Sequence, residues 1–329
     1  MATRFELVLH GDDPVRLRAA GEEALREIVR LEDTFSYYRP AGALGRLNRA
    51  PAGKPARVPA SLFNLLVRAG EIWERTGGAF DVTIAPLMQC WGMTGGVMRR
   101  PTAARLEEAF ARSGFSHFQF DLATRSVERR VPGMAIDLGG IAKGYAIDEA
   151  MGLLVDHGVP GALLHGGTST IAAIGNSPGG TPWRIGIPMP GSSSHGAVGH
   201  ESTGPGPSGH GLAGRGQAGP GSVLCTVDLK DEALSVSEVY GKGFEDEEGF
   251  HGHVLDPRTG HPTRRALLSA VRSATATDSD ALATALLVLG DEFASAPAFD
   301  DSDVSFLVAT APGNRSIRGR GLFSTLDVC

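Results

Sequence analysis

Asp280 and Thr284 stand four residues apart in Thr275-Ala276-Thr277-Asp278-Ser279-Asp280-Ala281-Leu282-Ala283-Thr284-Ala285, a spacing that sets a carboxylate and a hydroxyl on one face of a helix. Two hard oxygen donors so placed suit Mg²⁺, which takes few protein ligands and completes its shell with water and substrate phosphate. A structural reading competes with this: Thr277, Asp278 or Ser279 caps the helix and Thr284 packs against a neighbour. A second cluster runs from Ala135 to Tyr145. There an apolar run ending at Ile136 reads as a strand, Asp137 and the Gly139-Gly140 pair follow, and Ile141, Ala146, Ala150 and Leu153 carry a helical register that Gly158 closes. Free N–H groups at such a helix start favour an anion, glycines admit a ligand close to the backbone, and Lys143 lies one turn in. The spacing is neither a Walker loop nor a GxGxxG fingerprint. A tight strand-to-helix turn with a solvent-facing lysine would look the same.

His251-Gly252-His253-Val254-Leu255-Asp256-Pro257-Arg258-Thr259-Gly260 reads as a short strand entering a turn, with both imidazoles on one strand face. With Asp256 nearby the pair could ligate zinc, but a third ligand is not evident. His253 fits a general base, because imidazole titrates near working pH. It equally fits a strand histidine that holds the turn by hydrogen bonding. In Gly77-Gly78-Ala79-Phe80-Asp81 and Cys90-Trp91-Gly92, Phe80 or Trp91 could stack on a heterocycle or fill a core. His165-Gly166-Gly167-Thr168 places a glycine pair at a strand end.

The elements that must position these residues are mixed. Asp13-Pro14 predicts an N-cap with proline at the first helical position, and Ala24, Ile28, Leu31 and Phe35 continue at helical spacing. Leu62, Leu65, Leu66, Ala69, Ile72 and Trp73 predict a second helix closed by Gly77-Gly78, and Thr102 to Ser113 a third. His117 to Asp121 and Ser126 to Val131 predict a hairpin. Further strands are expected over 161–165, 183–187, 223–230 and 267–276, and a last helix from Thr275 to Gly290. Helices with antiparallel strands predict the α+β class. From about 188 to 221 the chain turns to Gly, Ser, Pro and His with few apolar residues, which predicts a disordered insertion inside one domain spanning residues 1–329.

The chain of 329 residues carries a formal net charge of −6 and no basic block, which argues against nucleic acid as a partner. Cys90, Cys225 and Cys329 are scattered without a CxxC, so neither a disulfide framework nor a thiolate zinc site is expected. No apolar run reaches the length of a membrane span. The segment Met1 to Leu9 lacks the pattern of an export signal, so the expected address is the cytoplasm.

Taken in order, Met1-Ala2-Thr3, Phe35-Ser36, Arg46-Leu47-Asn48, the Phe80-Asp81 to Trp91-Gly92 loop, Asp137 to Tyr145, His253 to Gly260 and Asp280 to Thr284 resemble the ApbE family, the FAD:protein FMN transferases. The resemblance covers most of the chain. It implies an α+β, T-fold-like domain with an antiparallel sheet, packed helices and an FAD site that is not of Rossmann type. It also implies Asp280 and Thr284 as side-chain Mg²⁺ ligands with the backbone carbonyl at Gly140. Phe35, Ala79, Phe80, Asp81, Asp137, Lys143 and Val254 would then be FAD contacts, and His253 the base. The implied reaction transfers FMN from FAD to a threonine or serine of an acceptor protein domain and releases AMP. An FAD pyrophosphatase using water, or a flavin-binding protein without turnover, are the alternatives.

Three departures stand out. The family usually has an acid where this chain has Thr168. It usually reads Ser-Gly-Asp-Tyr where this chain reads Ser237-Glu238-Val239-Tyr240. Many members carry an export signal and a lipid-anchored cysteine, and neither is visible here, so the family's usual periplasmic address does not carry over.

Overall fold

A computed structural model describes residues 3–191, 223–241, 243–310 and 316–321. In chain order the elements are β1 (Phe5–His10), α1 (Pro14–Phe35), α2 (Ala43–Arg49), β2 (Ala56–Arg57), α3 (Ala60–Arg75), α4 (Ala85–Cys90), α5 (Ala103–Phe110), β3 (Phe118–Asp121), β4 (Ser126–Arg129) and α6 (Ala142–Asp156). They continue with β5 (Gly161–Gly166), β6 (Thr170–Ile174), β7 (Trp183–Pro188), β8 (Val223–Leu229), β9 (Ala233–Glu238), β10 (Gly243–Asp246), β11 (Gly249–Gly252), β12 (Leu255–Asp256), β13 (His261–Pro262), β14 (Ala266–Ser273), α7 (Ala276–Leu289), β15 (Ser305–Thr310) and β16 (Ile317–Arg320).

Seven strands form one sheet in the order β1-β5-β6-β9-β14-β15-β16, and every neighbouring pair is antiparallel. The α+β expectation therefore holds. Side chains alternate across the sheet as a period of two requires. Ala162, Leu164, Ala172, Val271, Phe306 and Val308 point to the helices. Leu163, Ile171, Ala173, Leu268, Ala270, Leu307 and Ala309 point the other way, against Trp183, Ile185, Ile187, Val227 and Leu229 of the β7-β8 ribbon. The result is a ribbon, a sheet and a helical layer stacked in turn.

The helical layer follows from local rules. Asp13 caps α1, its Oδ1 accepting from Val15 N at 3.1 Å and Arg16 N at 3.0 Å, with Pro14 next. Thr275 caps α7 by accepting from Asp278 N at 3.2 Å, and Gly290 ends it at φ 54°. Most of α7 is buried, polar positions Thr277, Ser279 and Asp280 included, as expected of a helix apolar on nearly all sides at the centre of a layer. Its exposed N–H groups are met from α6: Asp148 accepts from Ala276 N at 2.7 Å and from Thr277 N at 2.8 Å. Arg68 of α3 grips Asp278 with Nε at 2.8 Å and Nη2 at 2.7 Å.

One predicted strand is absent. The run through Met134 and Ile136 pairs with no strand. Asn48 of α2 takes the place of a neighbouring strand, its amide donating to Ile136 O and accepting from Ile136 N, both at 2.9 Å. Asp137 N then donates to Val82 O at 2.8 Å. A side chain 88 residues away in sequence satisfies the buried backbone that a strand would otherwise have satisfied. Most of the predicted insertion at 188–221 lies outside the described residues, while β7 and β8 on either side of it pair with each other.

Candidate functional site

A cleft of about 660 Å³ opens between the helical layer and the loops that lead into β12, in the size range of small-molecule sites. Ala79, Phe80, Asp81, Asp137, Gly140, Lys143, His253, Val254, Asp280 and Thr284 all line it. Phe35 is the exception. It is 3% exposed and packs edge-on to Tyr145 at 5.5 Å, in the core beneath α6.

The Gly139-Gly140 turn leads into α6, whose first turn has no side-chain cap. An anion does occupy that helix start, and it belongs to the chain: Asp280 Oδ2 accepts from Gly144 N at 3.2 Å. Lys143 reaches the same carboxylate, with Nζ 2.8 Å from Oδ1 and 3.1 Å from Oδ2. Thr170 at the start of β6 donates to Oδ1 at 3.1 Å. Asp280 is thus a buried carboxylate ringed by donors from α6 and β6, an arrangement that offsets the cost of burying its charge.

Thr284 lies one turn further along α7 and donates its hydroxyl hydrogen to Asp280 O at 3.2 Å. That bond spends the proton and leaves the oxygen lone pairs for another partner. Gly140 faces it closely, since a Cβ added there would lie 3.4 Å from Thr284 Oγ1 and 3.2 Å from Phe80. Carboxylate, hydroxyl and a close-approaching backbone are all hard oxygen donors, which is the chemistry Mg²⁺ prefers. Among the described residues no group of three or more His, Cys, Asp or Glu is placed to hold a metal. A magnesium site with one carboxylate fits the residues present.

Three further carboxylates line the cleft, Asp81, Asp137 and Glu238, and the first two are engaged by backbone. Asp81 accepts from Thr83 N at 2.7 Å through one oxygen and from Phe115 N at 3.0 Å through the other. Asp137 accepts from Gly139 N at 2.7 Å. Burial pushes both carboxyls above the usual aspartate range, and these N–H donors oppose that shift.

The two histidines part company. His251 belongs to β11, is 4% exposed, lies 2.8 Å from Asp246 through Nε2 and stacks on Phe244 at 4.9 Å. His253 follows the end of that strand, half-buried in the bend before β12, and lines the cleft. A chain bend thus separates residues that a continuous strand would have kept on one face. Asp256 is committed to the turn, holding Arg258 Nε at 2.9 Å and Nη2 at 2.8 Å. Trp91 is 1% exposed, and its indole donates to Gly260 O at 2.8 Å. It anchors the same turn from the core and does not line the cleft.

Several cleft residues escaped the reading of the sequence. Thr3, Gly167, Thr168 and Ser169 form one wall, and Ser237, Glu238 and Tyr240 another. The strand-end glycines and the Ser237 to Tyr240 segment carried a signal. Thr170 carried none, being an ordinary strand threonine until the fold sets it beside Asp280.

Gly144 allows this assembly. A Cβ there would fall 2.1 Å from Ala276 O and 2.7 Å from Thr277 N, both rigid backbone. In an exposed helix Gly→Ala gains about 1 kcal/mol. Here overpacking, at about 1–3 kcal/mol, should win. Gly144→Ala is therefore expected to lower the melting temperature and to loosen Asp280 from the start of α6, a result that thermal unfolding checks directly.

A model of the ApbE family matches residues 1–304. The FAD:protein FMN transferase of Treponema pallidum is 30% identical over 290 residues, covering 84% of this chain and 73% of that protein. That of Salmonella typhimurium is 28% identical over 299 residues, covering 89% and 77%. Among solved structures, the ApbE protein of Thermotoga maritima aligns with a TM-score of 0.78 at 26% identity over 96% of each chain. The Pseudomonas stutzeri flavinyl transferase ApbE shares the fold with a TM-score of 0.76 at 24% identity, over 97% of this chain and 94% of that one.

Proposed function

Because the chain belongs to the ApbE family, we propose that it is a transferase that moves the FMN part of FAD onto a serine or threonine of an acceptor protein domain. The observation that carries the reading is the convergence, in one cleft, of Asp280, Thr284, Gly140, Lys143 and His253 with the Ala79-Phe80-Asp81 segment. Relatives named FAD:protein FMN transferase support the flavin substrate and the protein acceptor.

In this reading Asp280, Thr284 and the Gly140 carbonyl would hold Mg²⁺, which would supply Lewis-acid stabilisation of the pyrophosphate's negative charge. Lys143 adds a positive charge beside the same phosphates. Phe80 and Val254 present apolar surface to the flavin-bearing ligand, and the Gly139-Gly140 turn lets it approach the backbone. His253 takes the proton from the acceptor hydroxyl as that oxygen bonds to the FMN-side phosphorus. The bond from that phosphorus to the bridging oxygen breaks, AMP leaves, and FMN stays on the acceptor in phosphoester linkage.

Incubation with FAD, Mg²⁺ and candidate flavin-carrying domains should raise the intact mass of an acceptor by one FMN moiety, with one AMP released per adduct. AMP and free FMN formed at the same rate with and without acceptor, and no adduct, would instead mark an FAD pyrophosphatase. Stoichiometric flavin retention with neither product would mark a carrier. No described helix is long and apolar enough to cross a membrane.

A further inference from the structure

The carboxylate assigned to the divalent ion already holds a cation. Lys143 Nζ spans both oxygens of Asp280, and the two side chains are 19% and 5% exposed. Gly144 N–H and the Thr170 hydroxyl take up further lone pairs of the same group. A second cation can reach Asp280 only by moving the ammonium off at least one oxygen.

The displaced ammonium would then stand in the cleft wall beside a doubly positive ion. Stripping a partly buried charge of its partner is costly. Asp81 and Asp137 offer little relief, because Asp81 spends both oxygens on backbone N–H groups and Asp137 is turned onto Gly139 N. A pyrophosphate removes the difficulty, since its two negative charges can serve the ion and the ammonium together.

Resting on the functional reading above, we infer that Lys143 is a built-in counter-cation. It neutralises Asp280 before substrate arrives, and it yields the carboxylate to the divalent ion when a pyrophosphate-bearing ligand accepts its ammonium. Metal alone therefore binds weakly. Metal and FAD strengthen each other's binding, and the coupling is reciprocal. Lys143 acts here as a positioning residue, timing the arrival of the ion with that of the substrate.

The test follows Lys143 itself in the full-length protein. Acylation of lysine amines, read by peptide mass, should modify Lys143 slowly in ligand-free protein, faster with high Mg²⁺ alone, and slowly again with Mg²⁺ and FAD together. Titration with Mn²⁺ alone, followed by electron paramagnetic resonance, should show Lys143→Gln binding the ion more tightly than wild type by about 5- to 150-fold, the usual range of coupling. Lys143→Gln retains a donor for Asp280, and Lys143→Met serves as the second variant, with circular dichroism reporting folding for both.

Acylation of Lys143 that ignores Mg²⁺, in a protein whose Mn²⁺ affinity disappears in Asp280→Asn, would overturn the exchange and leave the cation site standing. Folded Lys143 variants that bind Mn²⁺ no tighter than wild type would overturn it as well. Wild-type Mn²⁺ affinity in Asp280→Asn would remove the cation site and this inference with it.

Discussion

Asp280→Ala should abolish FMN transfer to an acceptor protein, lowering the single-turnover rate by more than about a thousand-fold, beyond the loss of one donor from an oxyanion site. The carboxylate is the sole anionic side chain in the proposed ligand set, so without it a divalent ion is left with a hydroxyl and a carbonyl. The same substitution strips Lys143, Gly144 N–H and Thr170 of a shared acceptor. Removing one member of a buried pair costs about 3–5 kcal/mol, so stability must be followed beside activity. Asp280→Asn separates the two effects, because its amide oxygen can still accept from Lys143 and Gly144 N–H and its NH2 can donate to the Thr170 hydroxyl oxygen, while its charge is gone. Adduct formation by intact mass across Mg²⁺ concentrations gives the answer. A folded Asp280 variant that transfers FMN at the wild-type rate in low Mg²⁺ would end the metal assignment.

His253→Ala should keep affinity for FAD and Mg²⁺ while losing turnover by about a hundred- to ten-thousand-fold, the contribution of a general base. The residue lines the cleft from the bend between β11 and β12. A neutral imidazole accepts the hydroxyl proton and an imidazolium cannot. The wild-type rate should therefore fall as pH drops through the range where an imidazole protonates, and the variant should lack that limb. Flavin binding, single-turnover transfer and the pH profile of both proteins decide it. Transfer by His253→Ala at the wild-type rate with the same acid limb would make His253 structural. Asp256 would be a poor substitute base, since Arg258 grips both of its oxygens.

Features governed by neighbours in the chain were legible before any fold was known. Asp13 with Pro14 opens its helix and Gly290 closes the last one because caps and stops act within one turn, although the cap of that last helix is Thr275 and not Thr277, Asp278 or Ser279. The β3-β4 hairpin forms where alternation placed it. Asp280 and Thr284 share a face because a spacing of four residues does so in any helix. The failures are of another kind. Alternation carried His251 and His253 onto one face, but the chain leaves β11 at Gly252 and bends. An apolar run suggested a strand at Ile136, but the amide of Asn48 satisfies that backbone. The aromatic signal at Trp91 was real, and burial against the Gly260 turn gave it a structural duty.

The sequence by itself determined the residue types of the site, the helix faces that carry them and the α+β class, since these rest on interactions within a few residues of chain. Tertiary structure alone decided that Lys143 meets Asp280 across 137 residues and Thr170 across 110, and that Gly144 must be bare for α6 to touch α7. Local propensity does not encode such meetings. They follow from how the helices pack on the sheet, where burying apolar side chains dictates which polar groups are carried inside together and must satisfy one another.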